Sequence, residues 1–159
     1  MATKKKLGES LIAGNRRARH DYEILKTYEA GIQLTGSEIK SLRESKASIT
    51  ESYISVDDAN EIWAENINIP EYKFATWTNH SPKRKRKLLM HKDEILRLKS
   101  SVAEKGLTIV PLKLYFKRGL VKIEIALVRG KHLYDKRKTM KEREDLRETE
   151  RAIKYREYL

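Results

Sequence analysis

Residues 112–128 carry two runs in which apolar and polar side chains alternate. Leu112, Leu114 and Phe116 alternate with Lys113, Tyr115 and Lys117; Val121, Ile123, Ile125 and Leu127 then alternate with Lys122, Glu124, Ala126 and Val128. A period of two puts each set on one face of a strand, and Arg118-Gly119 between the runs makes a two-residue turn. The segment reads as two half-buried antiparallel strands.

Other segments extend the sheet. Tyr22, Ile24 and Lys26 alternate with Glu23, Leu25 and Thr27. Gly31 and Gly36 flank Ile32-Gln33-Leu34, where glycines predict a bulge or sharp bend. Glu38-Ile39-Lys40-Ser41-Leu42-Arg43 alternates again and reads as a strand. Tyr53-Ile54-Ser55-Val56 runs into the turn-forming Asp57-Asp58-Ala59-Asn60, and residues 62–69 read as the return strand, ended by Pro70. Residues 78–87 form a polar loop. Residues 88–105 read as a helix: Leu88, Leu89, Ile95, Leu98 and Val102 fall near one face, acidic Asp93 and Glu94 come early, Lys99 and Lys105 late, and Gly106 is the stop. The expected fold is mainly β with peripheral helices, an OB-like antiparallel β-barrel. The expected organisation is a basic N-terminal arm or short helix over 1–19, the barrel body over 20–130 and a charged tail over 131–159.

The two ends differ from the body. In the arm, Leu7, Leu11 and Ile12 are spaced for one helical turn, which Gly8 and Gly14 weaken. The tail mixes acids and bases without Gly or Pro, and its apolar residues Leu133, Met140, Leu146 and Ile153 are too sparse for a core-facing stripe. Pairs such as Lys138 with Glu142 and Glu150 with Lys154 favour helix by only roughly 0.2–0.5 kcal/mol each. The tail is expected to be disordered alone and to become helical against a partner.

Charge narrows the partner. The chain of 159 residues has 35 Lys and Arg against 23 Asp and Glu, a net +12. That excess costs self-repulsion and points to a polyanion, a nucleic acid or an anionic membrane. The longest apolar run is broken by Lys122 and Glu124, short of the ~20 residues a spanning helix needs. Met1-Ala2-Thr3-Lys4-Lys5-Lys6 resembles the start of a signal peptide, but Glu9 interrupts the short apolar stretch behind it. The expectation is a cytoplasmic chain with no membrane role. With 0 cysteines, thiolate catalysis and cysteine-based zinc sites are excluded.

No nucleotide-binding, metalloprotease or hydrolase motif is present. His20, His80, His91 and His132 have no second histidine at ligand spacing. His91 with Asp93 and Glu94 reads as an acidic helix start rather than an acid–base group. The chain is expected to be no enzyme and to need no cofactor or metal.

Two cationic groups remain. Lys83, Arg84, Lys85, Arg86 and Lys87 form an unbroken run. Composition leaves phosphate contact, a solvated loop and a nuclear-import signal open, while Trp77 and His80 nearby add rings able to stack on unpaired bases. Asn15-Arg16-Arg17-Ala18-Arg19-His20 offers an amide for base edges and arginines for phosphates.

Taken in order, several blocks resemble one family. They are Asn15-Arg16-Arg17-Ala18-Arg19-His20-Asp21-Tyr22, Glu29-Ala30-Gly31-Ile32, Gly36-Ser37-Glu38-Ile39-Lys40-Ser41-Leu42-Arg43, Glu51-Ser52-Tyr53, Arg86-Lys87-Leu88-Leu89-Met90-His91-Lys92, Val110-Pro111-Leu112 and Gly130-Lys131-His132-Leu133-Tyr134-Asp135-Lys136-Arg137. They span nearly the whole chain and resemble the SmpB (small protein B, SsrA-binding protein) family. Ser37, Met90 and His132 depart from its commonest residues, His132 standing where a second Lys is usual.

The resemblance implies an OB-fold body that binds the elbow of the transfer-RNA-like domain of transfer-messenger RNA. It implies delivery to stalled ribosomes for trans-translation, with the tail helical in the decoding centre and the empty message channel. Small-subunit ribosomal RNA is then a partner, elongation factor Tu an indirect one through the charged RNA, and the free protein a monomer. Asn15, Glu29 and Leu89 match positions tied to the RNA face, with Arg16, Arg17, Arg19 and the basic run as phosphate contacts; a carboxylate at Glu29 then either accepts from a base amino group or holds a nearby Arg in place. Arg86 and Lys87 are the chief candidates among these. For Leu89, inward packing and base contact both stay open. In the tail, Gly130, Lys131, Asp135, Lys136 and Arg137 match the start motif. Tyr134 falls where a ring stacks on a decoding-centre base. Ile153 and Lys154 match a distal element that supports accommodation. A generic OB-fold protein for single-stranded RNA is the competing reading.

Overall fold

The computed structural model describes residues 9–44, 47–75, 79–103, 107–131 and 133–157. Its elements are β1 (Glu9–Gly14), α1 (Arg16–Asp21), β2 (Tyr22–Ile32), α2 (Gly36–Glu44), β3 (Tyr53–Val56), β4 (Ile62–Glu65), β5 (Arg86–Leu89), α3 (Lys92–Ala103), β6 (Leu107–Lys117), β7 (Leu120–Gly130) and α4 (Leu133–Glu157). The protein is mainly β sheet, with four helices among the described residues.

The β6–β7 hairpin is the one the alternation predicts. Its turn residues Arg118 and Gly119 have φ of 51° and 78°, the left-handed pair that matches strand twist. β7 also pairs along its length with β2, from Tyr22↔Gly130 to Gly31↔Lys122. β2 pairs with β5 at Gly31↔Leu89, β5 with β4 at Trp63↔Lys87, and β4 with β3. β3 returns to β6 at Ile54↔Ile109, so six antiparallel strands close into a ring. β1 lies further along β6, from Glu9↔Lys117 to Gly14↔Lys113. Closure leaves few unpaired edges to invite association.

Ile54, Ile62, Ala64, Leu88, Ile109, Leu114, Ile123 and Ile125 fill the main core, and Leu98 packs onto it from α3. A second cluster, Ala18, Val110, Leu112, Ala126 and Val128, seats α1 against β6 and β7, with Tyr22 and Ile24 packed beside it. Two bulges allow both clusters. Register shifts between Ile24 and Lys26 and between Pro111 and Lys113 exchange the buried face partway along β2 and β6. Leu112 therefore packs under α1 while Leu114 packs in the main core. Pro111, which has no N–H to donate, sits where the ladder is already broken. The bulge in β2 thus falls at Ile24–Lys26, not at the glycines.

Four segments differ from the sequence reading. The return strand β4 ends at Glu65 rather than running to residue 69, and Asn66 takes a φ of 64°. Residues 38–43 lie in helix α2, not in a strand. Thr35-Gly36-Ser37-Glu38 has the spacing of a capping box, and Glu38 reaches back to accept from the Thr35 N–H at 2.9 Å. Glu38, Ser41 and Leu42 are the face it buries. Arg86, Lys87, Leu88 and Leu89 form strand β5, and the following helix begins only at Lys92. Leu11 and Ile12 lie in strand β1 rather than in a helical turn, although a short helix does follow at Arg16–Asp21. Leu7, Gly8 and Gly106 lie outside the described residues.

α4 is a single helix of 25 residues, about 37 Å long at 1.5 Å per residue. It starts against α1. The Lys131 N–H donates to the Asp21 carbonyl at 3.0 Å and Lys131 Nζ to the Arg19 carbonyl at 3.4 Å. Every described side chain of α4 is exposed. Among the described residues no helix is long and apolar enough to cross a membrane.

Candidate nucleic-acid interface

Leu88 and Leu89 show how β5 builds the site. Consecutive strand residues face opposite ways, so Leu88 is 1% exposed in the core and Leu89 is 50% exposed outside. Leu89 therefore faces outward, which removes inward packing as its role. Gly31 lies opposite it on β2. A Cβ there would stand 3.3 Å from Leu89 Cβ, so glycine lets the two strands meet. On the far side of Gly31, β7 supplies Lys122.

Glu29, Leu89, His91, Glu94 and Lys122 line one surface cleft of about 420 Å³. Beside it, sharing Gly31, Leu89 and Lys122, an apolar slot of about 220 Å³ is walled by Leu34, Ile39 and Leu120. A protruding leucine that shares a cleft with a carboxylate and an ammonium can contact a base face, while its neighbours reach base edges and phosphate. Glu29 does not hold an arginine: Tyr115 Oη donates to it, and Lys117 Nζ lies 3.1 Å away. The Tyr115 hydrogen bond, then Lys117, holds the Glu29 carboxyl below its usual range against partial burial.

The basic run divides. Arg86 is fully buried and Arg84 part-buried, and both turn inward onto Glu38. Arg86 also donates to the carbonyls of Ile67 at 2.7 Å and Pro82 at 3.0 Å. Arg86, a leading phosphate candidate in the sequence, is thus a buried counter-ion, because Glu38 would otherwise be a bare charge in the core. Lys83 and Lys85 are exposed, with Lys85 Nζ 4.6 Å from the centre of the Trp63 ring. Lys87 pairs with Glu61 at 3.2 Å and is half-buried. His80 is buried too. Its Nε2 faces the Ile69 carbonyl at 2.9 Å, which can only accept, so Nε2 donates there, and Nδ1 lies 2.9 Å from Ser37 Oγ. This ring is not available for stacking. Trp77 lies outside the described residues.

Asn15 is likewise not available to base edges. It is 7% exposed. Its Oδ1 caps α1 by accepting from the Ala18 N–H at 3.2 Å, and its Nδ2 donates to the Pro111 carbonyl at 3.0 Å. That cap presents Arg16, Arg17 and Arg19 to solvent. They stand beside Gly130 and Lys131, where the tail leaves the body. Arg137, Ile153 and Lys154 are exposed along α4. The roles expected of the Tyr134, Asp135 and Lys136 side chains, and of His132, lie outside the described residues.

The sequence therefore groups as one interface residues that the fold separates. Gly31 pairs with Lys122 at one end of β2 and β7, and Tyr22 pairs with Gly130 at the other. Eight residues of strand put the Leu89 cleft and the arginines of α1 roughly 26 Å apart. Lys122, Tyr115 and Lys117 escaped the sequence reading, which saw them only as outward or turn-side positions of a hairpin. The Gly31↔Lys122 register, a tertiary fact, is what gathers them.

Among the described residues no group of His, Asp and Glu could hold a metal. These features define a small, basic, mainly β protein with a leucine-bearing cleft at one end of β2 and β7 and the exposed arginines of α1 at the other. The chain belongs to the SmpB family: the family model described as SmpB protein matches residues 12–155. It is 56% identical over 151 residues to the SsrA-binding protein of Bifidobacterium longum (strain DJO10A), covering 95% of this chain and 96% of that one. It is 56% identical over 149 residues to the SsrA-binding protein of Streptomyces coelicolor, covering 94% and 93%. A chain from a solved structure described as "tmRNA-SmpB: a journey to the center of the bacterial ribosome" matches with a TM-score of 0.63 at 53% identity, over 76% of this chain and 84% of that one.

Proposed function

We propose that this chain binds the transfer-RNA-like domain of transfer-messenger RNA and delivers it to stalled ribosomes for trans-translation. Exposed Leu89, set against Gly31 in one cleft with Glu29 and Lys122, is the observation that carries this reading. The ring serves as an OB-like barrel whose cleft takes the folded RNA. The arginines of α1 and the tail root, at the far end, face small-subunit ribosomal RNA. The tail lodges as a helix in the decoding centre and the empty message channel, with Tyr134, Asp135, Lys136 and Arg137 at its start and Ile153 and Lys154 towards its end. Elongation factor Tu joins through the charged RNA. The protein acts by binding, as a cytoplasmic monomer, and catalyses nothing itself.

The test is binding at physiological salt to three RNAs of matched length: the transfer-RNA-like domain, an ordinary transfer RNA and an unstructured strand. Strong preference for the first is expected. Equal affinity for all three would leave a generic single-strand binder, a reading that Lys85 over Trp63 would then favour.

A second expectation concerns the basic run. Neutralising Lys83, Lys85 and Lys87 flattens the salt dependence of binding by up to about 0.9 log unit per lost contact on a duplex-like site. Replacing Arg84 and Arg86 instead is expected to lower the melting temperature, because both serve Glu38 rather than the surface. An unchanged slope for the three lysines would place the run off the RNA.

A further inference from the structure

A carboxylate on the RNA-facing side of a protein of net charge +12 needs an explanation. Glu29 on β2 stands directly opposite Glu124 on β7, and like charges so placed repel. Both are tied to cations reaching across from β6. Lys113 Nζ lies 3.2 Å from Glu124, and Lys117 Nζ lies 3.2 Å and 3.1 Å from the two oxygens of Glu29. Tyr115, between these lysines, is 4% exposed and gives its hydroxyl proton to Glu29 Oε2. A carboxylate offers about four lone-pair positions, and these contacts take three. Oε1, touched by Lys117 alone, keeps one to spare. Burial and then the Glu29 bond push the Tyr115 hydroxyl well above its ordinary range, so the donor keeps its proton at every pH the protein meets.

We propose that Tyr115 and Lys117 are positioning residues that hold Glu29 as an acceptor for the exocyclic amino group of a nucleobase lying against Leu89. The inference rests on the RNA-binding reading above. The clamp explains why the site carries a carboxylate. Lys117 cancels its repulsion of phosphate, and Tyr115 fixes its direction, so what remains is an acceptor selective for an amino edge. A base lacking that amino group would leave the spare lone pair unsatisfied. Lys117 differs from Lys122 in the same cleft: it also lies 3.9 Å from Glu9, and its charge is committed to carboxylates rather than to RNA.

The experiment uses the full chain and the transfer-RNA-like domain, with ordinary transfer RNA as competitor. Tyr115→Phe, Glu29→Gln and Lys117→Met are compared with the Tyr115→Phe/Glu29→Gln double variant, and thermal unfolding is followed for each. Tyr115→Phe is expected to weaken binding about five- to tenfold with the melting temperature little changed. The double variant should bind no worse than Glu29→Gln alone, because both remove one oriented acceptor. Lys117→Met should weaken binding without changing its salt slope.

Additive losses in the double variant would make Tyr115 and Glu29 independent and overturn the clamp. So would a Tyr115→Phe affinity equal to the parent's while Glu29→Gln binds weakly. A slope reduced by about 0.9 in Lys117→Met would make that lysine a phosphate contact instead. Preference of the parent chain for the transfer-RNA-like domain is read in the same series. If the parent shows none, the functional reading fails and the clamp with it; if only the variants misbehave, the clamp alone fails.

Discussion

Replacing Glu38 with alanine is expected to destabilise the chain by about 3–5 kcal/mol, the cost of leaving a buried charge without its partner. Glu38 and Arg86 are both fully buried, and Arg84 joins them from the surface side. Glu38 also accepts from the Thr35 N–H and the Thr35 hydroxyl, so its carboxylate closes the cap of α2 and ties that helix to β5. Alanine would leave the Arg86 guanidinium in the core with only carbonyls around it. Against a net stability of about 5–15 kcal/mol for a typical domain, the loss should appear as a large drop in the urea midpoint. The paired replacement Glu38→Leu/Arg86→Met should cost much less than either single change, since neither charge is then stranded. Equal losses in single and paired variants would contradict the ion-pair account.

The same triad sets a pH dependence. Burial pushes the Glu38 carboxyl up, but hydrogen bonds from Arg84, the Thr35 N–H and Arg86 outweigh it and hold it below the ordinary value of 4.5. A carboxyl depressed in the folded state contributes stability that is present above its unfolded value and is lost as pH falls through the folded one. Stability should therefore fall below about pH 4.5, and Glu38→Gln should flatten that limb.

Segments whose signal is local were legible in the sequence. The β6–β7 hairpin needs only its alternation and Arg118-Gly119. The β3–β4 hairpin needs only its turn, where Asn60 adopts a φ of 60°. Residues 38–43 fit both a period of two and one of 3.6 over so short a run, and the capping box that decides for helix was there to be read. Leu88 and Leu89 fell on the projected face of α3 by coincidence of spacing; pairing with β2 and β4, distant in sequence, makes them strand. The basic run misled for the same reason. Glu38 lies 46 and 48 residues before Arg84 and Arg86, so nothing nearby marks those two as counter-ions. At the site, the resemblance pointed to Glu29 and Leu89, whereas Lys122, Tyr115 and Lys117 join them only through strand register.

The strand ring also keeps two exposed surfaces apart. The Leu89 cleft and the tail root lie at opposite ends of β2 and β7, and α4 begins beside α1. The ring and both apolar clusters are complete by Gly130. Removing residues 131–159 should therefore leave the body folded and its cleft intact, while removing the segment proposed to enter the message channel.

The most direct test is a chain ended after Gly130, compared with the full chain for affinity to the transfer-RNA-like domain and for peptide tagging on stalled ribosomes. The account predicts RNA affinity within about twofold of the full chain, less than about 0.5 kcal/mol, with tagging abolished. A large loss of RNA affinity would contradict it and make the tail an RNA clamp rather than a probe of the decoding site.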